Sequence, residues 1–213
     1  MENYSVLMSV YAGADQEHFD RAIESMLSQT APTNNFVIVC DGPLTPALDA
    51  VLDSYAERYP SVIVPVRLPQ NVGVGKAANE GLAHCKNDLV AKMDADDVSV
   101  SNRAELQLAM FKNDPDLAVC GGFIEEFGDD PDLPHSVRAV PTENEDIRRF
   151  AKRRQPFNNM TVMYRRSAVL DVGGYRDYRR SEDYDLYIRL LHAGYKAANL
   201  KDVLVKARVD TSA

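Results

Sequence analysis

Leu89-Val90-Ala91-Lys92-Met93-Asp94-Ala95-Asp96-Asp97 is a mostly apolar run that stops abruptly at three carboxylates. Its first five residues read as a buried strand, and Val98-Ser99-Val100-Ser101-Asn102-Arg103 leads from the acids into a polar helix. In open α/β sheets, ligands bind at the C-terminal edge of the strands. Three carboxylates so close together repel one another unless a cation or a set of donors neutralises them. Oxygen ligands on a short loop suit a hard divalent ion such as Mg²⁺ or Mn²⁺, and such an ion suits a substrate carrying phosphates. A calcium loop is a rival reading, with Asp94, Asp96 and Glu105 in three of its slots. It fails because Val98 stands at the fifth position and Ser99 where the sharp-turn glycine belongs. A solvated turn is the other rival, with Asp97 capping the next helix.

Before this run, strand and helix patterns alternate. Tyr4–Val10 reads as a strand, and Glu17–Gln29 as a helix with Phe19, Ala22, Ile23, Met26 and Leu27 on one face. Phe36–Cys40 is a near-continuous apolar strand, as in a buried parallel sheet. Thr45 and Pro46 can open a helix that runs to about Tyr59. Val62–Arg67 reads as a strand and Gly75–Cys85 as a helix. This rhythm predicts parallel strands joined by right-handed crossovers. After the acids come a helix over Asn102–Asn113, a strand over Leu117–Phe127 and a loop over Asp129–Pro141. A helix over Thr142–Arg154 follows, with Thr142 and Glu145 spaced as a capping box. The last elements are a short strand, Thr161–Tyr164, a helix, Ser181–Ala193, closed by Gly194, and a strand, Val203–Arg208. No repeat or linker divides the chain, so 1–213 reads as one domain with a nucleotide-binding-like front half and a mixed rear half.

Composition narrows the class. A chain of 213 residues can bury a real core. Its 45% apolar and 26% charged content is that of a soluble globular protein. A net charge of −8 argues against nucleic acid as a partner. No apolar run approaches the roughly 18–20 residues that span a bilayer. The N-terminus enters the first strand directly, without a signal-peptide pattern. Cys40, Cys85 and Cys120 lie far apart, without metal-type spacing, and read as free thiols of a reducing compartment. The cytoplasm is the expected location.

Four further constellations bear on chemistry. Asn71-Val72-Gly73-Val74-Gly75-Lys76-Ala77-Ala78-Asn79-Glu80-Gly81 puts glycines at a loop-to-helix junction, where a backbone can approach a phosphate, and Lys76 adds charge. It is neither a Walker loop nor a dinucleotide fingerprint, and a plain turn is the competing reading. Asp41, in Val39-Cys40-Asp41-Gly42-Pro43, ends the second strand and can accept hydrogen bonds from a base or ribose, or from its own turn. Ser181-Glu182-Asp183-Tyr184-Asp185 offers a carboxylate as general base, or merely a capped helix start with favourable acids. In Arg148-Arg149-Phe150-Ala151-Lys152-Arg153-Arg154, five of seven residues are basic. That run reads as a solvated helix face, or as a patch for a phosphorylated acceptor or an anionic membrane surface.

Taken in order, these pieces resemble the family-2 glycosyltransferases of the GT-A fold, and within them the amylovoran-biosynthesis type of exopolysaccharide and O-antigen assembly. The resemblance runs through Ser9-Val10-Tyr11, Ser25-Met26-Leu27-Ser28-Gln29-Thr30, Asp41-Gly42-Pro43, Asn71-Val72-Gly73, Asn79-Glu80-Gly81-Leu82, Lys92–Asp97, Gly173-Gly174-Tyr175 and Ser181–Tyr184. It implies a Rossmann-like, mostly parallel central sheet flanked by helices, with a smaller mixed acceptor region. Residues 1–97 would bind the nucleotide sugar and 98–213 the acceptor.

The resemblance also implies an inverting, metal-dependent hexosyltransferase that takes Mn²⁺ or Mg²⁺. Its donor would be a nucleotide-diphosphate sugar, a UDP-sugar first. Its acceptor would be a glycan or a polyprenyl-diphosphate-linked sugar, met at the inner face of the membrane. By the same resemblance Ser9, Val10, Tyr11, Asp41, Asn71, Gly73, Lys76, Asn79, Asp94 and Ala95 line the donor site. Asp96, with Asp94, resembles the metal ligand. Asp183 resembles the catalytic base, with Glu182 beside it. One departure stands out: relatives often read Asn-His-Pro-Thr where this chain has Asn158-Asn159-Met160-Thr161. Two rivals remain, a non-catalytic nucleotide-sugar or glycan-binding module and a sugar-nucleotide nucleotidyltransferase. The latter lacks its glycine- and arginine-rich loop, since Ala12-Gly13-Ala14-Asp15 stands there.

Overall fold

The computed structural model describes residues 2–178 and 181–209. The front half alternates as β1 (Tyr4–Val10), α1 (Gln16–Leu27), β2 (Asn35–Cys40), α2 (Pro46–Arg58), β3 (Ile63–Arg67), α3 (Val74–His84) and β4 (Leu89–Asp94). The rear half continues as β5 (Val98–Ser99), α4 (Arg103–Asn113), β6 (Leu117–Phe127), β7 (Ser136–Arg138), α5 (Asn144–Phe150), β8 (Met163–Arg165), α6 (Arg166–Asp171), α7 (Glu182–His192) and β9 (Lys196–Arg208). One sheet holds all the strands in the order β3-β2-β1-β4-β8-β6-β9-β5, with β7 beside β6. β3, β2, β1 and β4 are mutually parallel, as is the long β6–β9 pair, while β8, β5 and β7 pair antiparallel.

Alternation along the strands explains the layering. Val6, Met8, Phe36, Ile38, Ala91 and Met93 face one apolar cluster, shared with α1, α2 and α4. Leu7, Val37, Val39 and Val90 face the other, shared with α3, α5, α6 and α7. Successive strand residues point to opposite faces, so strands buried on both faces read as continuous apolar runs. α3 lies very close to the sheet. A methyl group on Gly81 would stand 2.2 Å from Leu7 Cδ1 and 2.7 Å from Val39 Cγ2, so that helix position has no room for a side chain.

The acidic loop sits at a bend in this sheet. β4 and β5 lie four strand positions apart in the sheet order, which is about 19 Å across a flat sheet. Only residues 95–97 join them, a link that spans at most about 14 Å. The sheet must therefore curl so that β5 returns toward the end of β4.

Several expectations shift. The helix placed at Thr142 starts at Asn144, and no side chain caps it. Asn199 of β9 explains this, donating from its backbone N–H to the Thr142 carbonyl at 3.1 Å and from Nδ2 to that of Pro141 at 2.6 Å. That segment is thereby held to the sheet, and Thr142 and Glu145 form no capping box. The same helix ends at Phe150, six residues before Pro156. The strand placed at Thr161 begins as a 3₁₀ turn, Asn159–Thr161, and only Met163–Arg165 pairs. The last strand starts at Lys196, directly after Gly194 closes α7 with φ +96°. The loop over 129–141 carries β7. Cys40, Cys85 and Cys120 are buried and free, and burial pushes their thiols up to about 11, 12 and 12. Among the described residues no helix is long and apolar enough to cross a membrane.

Candidate active site

Asp94 is the last residue of β4 and lies beside Ser9 in the parallel register with β1. Ser9 Oγ is buried there without a hydrogen-bond partner, so a hydroxyl faces the site with its bonding capacity open. Burial raises the Asp94 carboxyl above its ordinary value; Lys92 counteracts this, while Asp96 and then Asp183 push it further up. Asp96 is exposed and Ala95 is half-buried against the core. Asp97 is only 2% exposed, and its Oδ1 accepts the Arg208 backbone N–H at 2.7 Å. Burial, then Asp94 and Asp96, push it up to about 8. Asp97 does not cap the next helix: Asn102 stands at that position, without a side-chain bond. It fastens the end of β9 to the acidic loop.

A second wall comes from the ends of β2 and β3. Asp41 is buried; Val72 N–H donates to its Oδ1 at 2.7 Å and Gly73 N–H to its Oδ2 at 3.1 Å. Asn71 Nδ2 donates to the Asp41 carbonyl at 3.2 Å. Asp41 therefore binds a loop thirty residues downstream rather than its own turn. The crossing is tight: Gly42 has φ +88°, and a Cβ there would meet Asn71 N at 2.7 Å. Residues 71–76 then border a cavity of about 510 Å³ that Arg176, Tyr178 and Glu182 complete. Lys76 Nζ lies 2.7 Å from Asp177 at its edge. Asn79 accepts the Tyr175 N–H at 2.8 Å and donates to the Tyr175 carbonyl at 2.7 Å, which clips the 173–178 loop onto α3. Val10 is buried in the core, while Tyr11 is 55% exposed.

The third wall is the first turn of α7. Ser181 precedes it but makes no side-chain cap. Asp183 Oδ1 accepts the Tyr184 N–H at 2.7 Å, and Oδ2 accepts Gln155 Nε2 at 2.8 Å. A methyl group on Gly75 would stand 3.0 Å from the Arg176 carbonyl and 3.3 Å from Glu182 Cβ, so the starts of α3 and α7 touch. Asp185 is held by Arg189 at 2.8 Å and Arg176 at 3.7 Å.

Asp94, Asp96 and Asp183 come within electrostatic reach of one another, residues 71–76 meet Glu182 across one cavity, and three further residues were missed by sequence reading. Gln155 holds the Asp183 carboxylate. Lys92 is 2% exposed, its Nζ 5.8 Å from the Tyr175 ring centre and without a hydrogen-bond or ion-pair partner among the described residues. Burial lowers its pKa, while Asp94 and Asp183 pull it back up. A lysine inside a buried apolar strand, two residues before the first acid and so on the same face, was a readable signal. Arg103 is fully buried, donates to the Lys92 carbonyl at 2.7 Å and is pushed down to about 10 by burial. Nothing local marks it, since it opens a helix with polar neighbours.

Among the described residues no three His, Cys, Asp or Glu side chains cluster as a ready-made metal cage. Asp94 and Asp96 offer two hard oxygen donors, and an Mg²⁺-like ion keeps waters and substrate phosphates as its other ligands. The donor set therefore fits an ion shared with a diphosphate.

The family model described as glycosyl transferase family 2 matches residues 5–179. Among curated relatives, the amylovoran biosynthesis glycosyltransferase AmsE of Erwinia amylovora is 38% identical over 205 residues, covering 96% of this chain and 76% of AmsE. The UDP-Gal:alpha-D-GlcNAc-diphosphoundecaprenol beta-1,3-galactosyltransferase of Escherichia coli is 33% identical, covering 96% of this chain and 74% of its own. Among solved structures, S. aureus TarS with UDP superposes with a TM-score of 0.77 at 17% identity, over 97% of this chain and 60% of TarS. A mannosyltransferase from Pyrobaculum calidifontis, solved with GDP-Man and Mn²⁺, gives 0.74 at 16% identity, over 99% of this chain and 58% of its own. At such identities the likeness is one of fold, the GT-A fold, and the chain spans about 60% of these solved chains. The matched span and the identities to glycosyltransferases converge with the acid-edged α/β sheet: the chain belongs to glycosyl transferase family 2.

Proposed function

We propose that this chain transfers a sugar, with inversion, from a nucleoside-diphosphate sugar to a glycan or polyprenyl-diphosphate-linked acceptor in bacterial surface-polysaccharide assembly. The observation that carries the proposal is the contact between two helix starts. α3, which begins at Val74 after the 71–73 loop, and α7, which bears Asp183, meet at Gly75 and Glu182. Glu182, next to Asp183, completes the cavity that residues 71–76 border, which would set a donor diphosphate beside the acceptor base.

On the donor side, the amides of 74 and 75 at the start of α3 and Lys76 favour phosphate. Asp41 fixes that loop from beneath. Ser9 Oγ and Asp94 face the ribose or sugar, with Val10, Tyr11 and Ala95 bordering them, and Asp96 with Asp94 would hold Mn²⁺ or Mg²⁺. Such an ion, when bound, neutralises charge on the departing diphosphate. On the acceptor side, Asp183 accepts the proton of the attacking hydroxyl. Gln155 keeps its carboxylate oriented while the new bond to the anomeric carbon forms and the bond to the diphosphate breaks on the opposite face. A single displacement inverts the centre and needs no second carboxylate nucleophile. TarS bound to UDP and a relative named for UDP-Gal and a diphosphoundecaprenol acceptor support a UDP-sugar and a lipid-linked acceptor. The division of labour puts donor binding in 1–97 and acceptor binding in 98–213, at the cytoplasmic face of the membrane.

A panel of UDP- and GDP-sugars, titrated with Mn²⁺ and with EDTA in thermal-shift and calorimetric assays, tests the reading. One UDP-sugar is expected to bind with metal and to be consumed when a lipid-diphosphate sugar is added. Binding of no nucleoside-diphosphate sugar under either condition would overturn it.

A further inference from the structure

The basic run at the end of α5 and beyond it divides into two uses. Arg148 is engaged in the fold: its guanidinium donates to the carbonyls of Leu191 and Tyr195 and closes the end of α7. Arg149, Lys152, Arg153 and Arg154 are exposed instead, and with Phe150 they rim a concavity of about 640 Å³. Arg149 approaches Asp146 at 3.4 Å, an exposed pair that contributes little. The side chains of Lys152, Arg153 and Arg154 have no ion-pair or hydrogen-bond partner among the described residues. In a chain of net charge −8, this is a local excess of uncompensated positive charge.

The same turn is fastened to the proposed base. Tyr184 Oη donates to the Ala151 carbonyl at 2.6 Å, and Gln155 Nε2 to Asp183 Oδ2 at 2.8 Å. Both links join 151–155 to the first turn of α7, so an anion seated among the cations lies one short segment from the base.

We propose that this concavity is a diphosphate-binding subsite for the acceptor, with Lys152, Arg153 and Arg154 as its principal contacts; this rests on the glycosyltransferase reading above. Arginine forks grip phosphate oxygens bidentately and lysine supplies point charge. A diphosphate joined directly to the acceptor sugar leaves that sugar beside Gln155 and Asp183. The surroundings disfavour an anionic bilayer as the occupant. Asp146 lines the concavity, where it meets Arg149, and Glu143 and Glu145 are exposed beside it; a broad membrane face would have to accept all three, whereas a diphosphate needs only Lys152, Arg153 and Arg154.

Calorimetry with dodecyl diphosphate, in EDTA and with UDP added to fill the donor pocket, reads the subsite directly. The wild type is expected to bind it, and K152Q/R153Q/R154Q to lose at least about 10-fold in affinity, as expected for losing charged hydrogen bonds. The variant's melting temperature and UDP affinity should match the wild type; R149Q, a milder second variant, should show a smaller loss. No binding by the wild type, or equal binding by the triple variant, overturns the proposal. So does binding to vesicles of one part phosphatidylglycerol to three parts phosphatidylcholine without affinity for dodecyl diphosphate, which would assign the cations to a membrane face. Failure of the glycosyltransferase reading registers separately, as a wild type that ignores UDP even in a parallel titration with Mn²⁺, while the dodecyl diphosphate result still decides the subsite.

Discussion

Two acidic clusters of similar composition, Asp94–Asp97 and Glu182–Asp185, are handled in opposite ways. The first ends a strand in a curled sheet, and its charges crowd. Burial and mutual repulsion raise Asp94 and push Asp97 up to about 8, and the cations that counteract this at Asp94, Lys92 and Arg103, are themselves buried. The second begins a helix, and two of its three acids are answered: Asp183 by Gln155 and the Tyr184 amide, Asp185 by Arg189 and Arg176. A helix start also favours negative charge, whereas a strand end gives no such field. The crowded cluster is therefore short of positive charge and suits a cation with a diphosphate. The answered cluster holds a carboxylate still, which is what a base needs.

The largest effect should come from Asp183→Asn. Transfer is expected to fall by about 10²–10⁴-fold, the usual share of a general base, with donor affinity kept. Product formation by chromatography and donor titration by calorimetry check this; loss of donor binding would erase the division between the clusters. Asp96→Asn comes next. It should weaken donor binding in Mn²⁺ by at least about 10-fold and leave the weaker affinity in EDTA unchanged. Equal losses in both conditions would show that Asp96 acts without an ion.

Gln155→Leu tests whether the second cluster is held or merely adjacent. Losing one hydrogen bond to a charged group should lower kcat by roughly 10-fold, with the donor KM unchanged in steady-state assays. An unaltered kcat would make Gln155 a packing residue only.

The smallest effect concerns Asp97. Its folded pKa is raised from 3.8 to about 8, so between those values the folded state binds more protons than the unfolded. Stability from this residue is full below pH about 4 and declines as pH rises toward 8. Asp97→Asn keeps an oxygen for the Arg208 amide and removes the titration. Urea unfolding in EDTA across this range should show a flatter pH dependence in the variant, and parallel curves would refute the assignment.

Legibility followed the range of the interactions. β1 to β4 and their helices were readable to within a residue or two, because alternation and helical spacing are local patterns. The position of Asp94 and Asp96 at a strand end puts them at the ligand-binding edge, while Asp183 is reached through the family resemblance. The sequence singles out Asp41 and Asn79, but the groups they bond, Val72, Gly73 and Tyr175, are distant in sequence and invisible in it. The start of α5 was misplaced because its backbone is held by Asn199, more than fifty residues away. β5 is two residues long and carries no period at all.

The sequence by itself determined the front α/β layers, the acid-edged strand and the family, since each depends on residue types at short spacings. Only the tertiary structure decided what each acid does. Asp97 answers an amide 111 residues away, Asp183 answers Gln155 28 residues back, and Lys92 is sealed beneath the loop it neutralises. A carboxylate's role depends on burial and on the charges and donors around it, and these are set by which distant segments the curled sheet brings together.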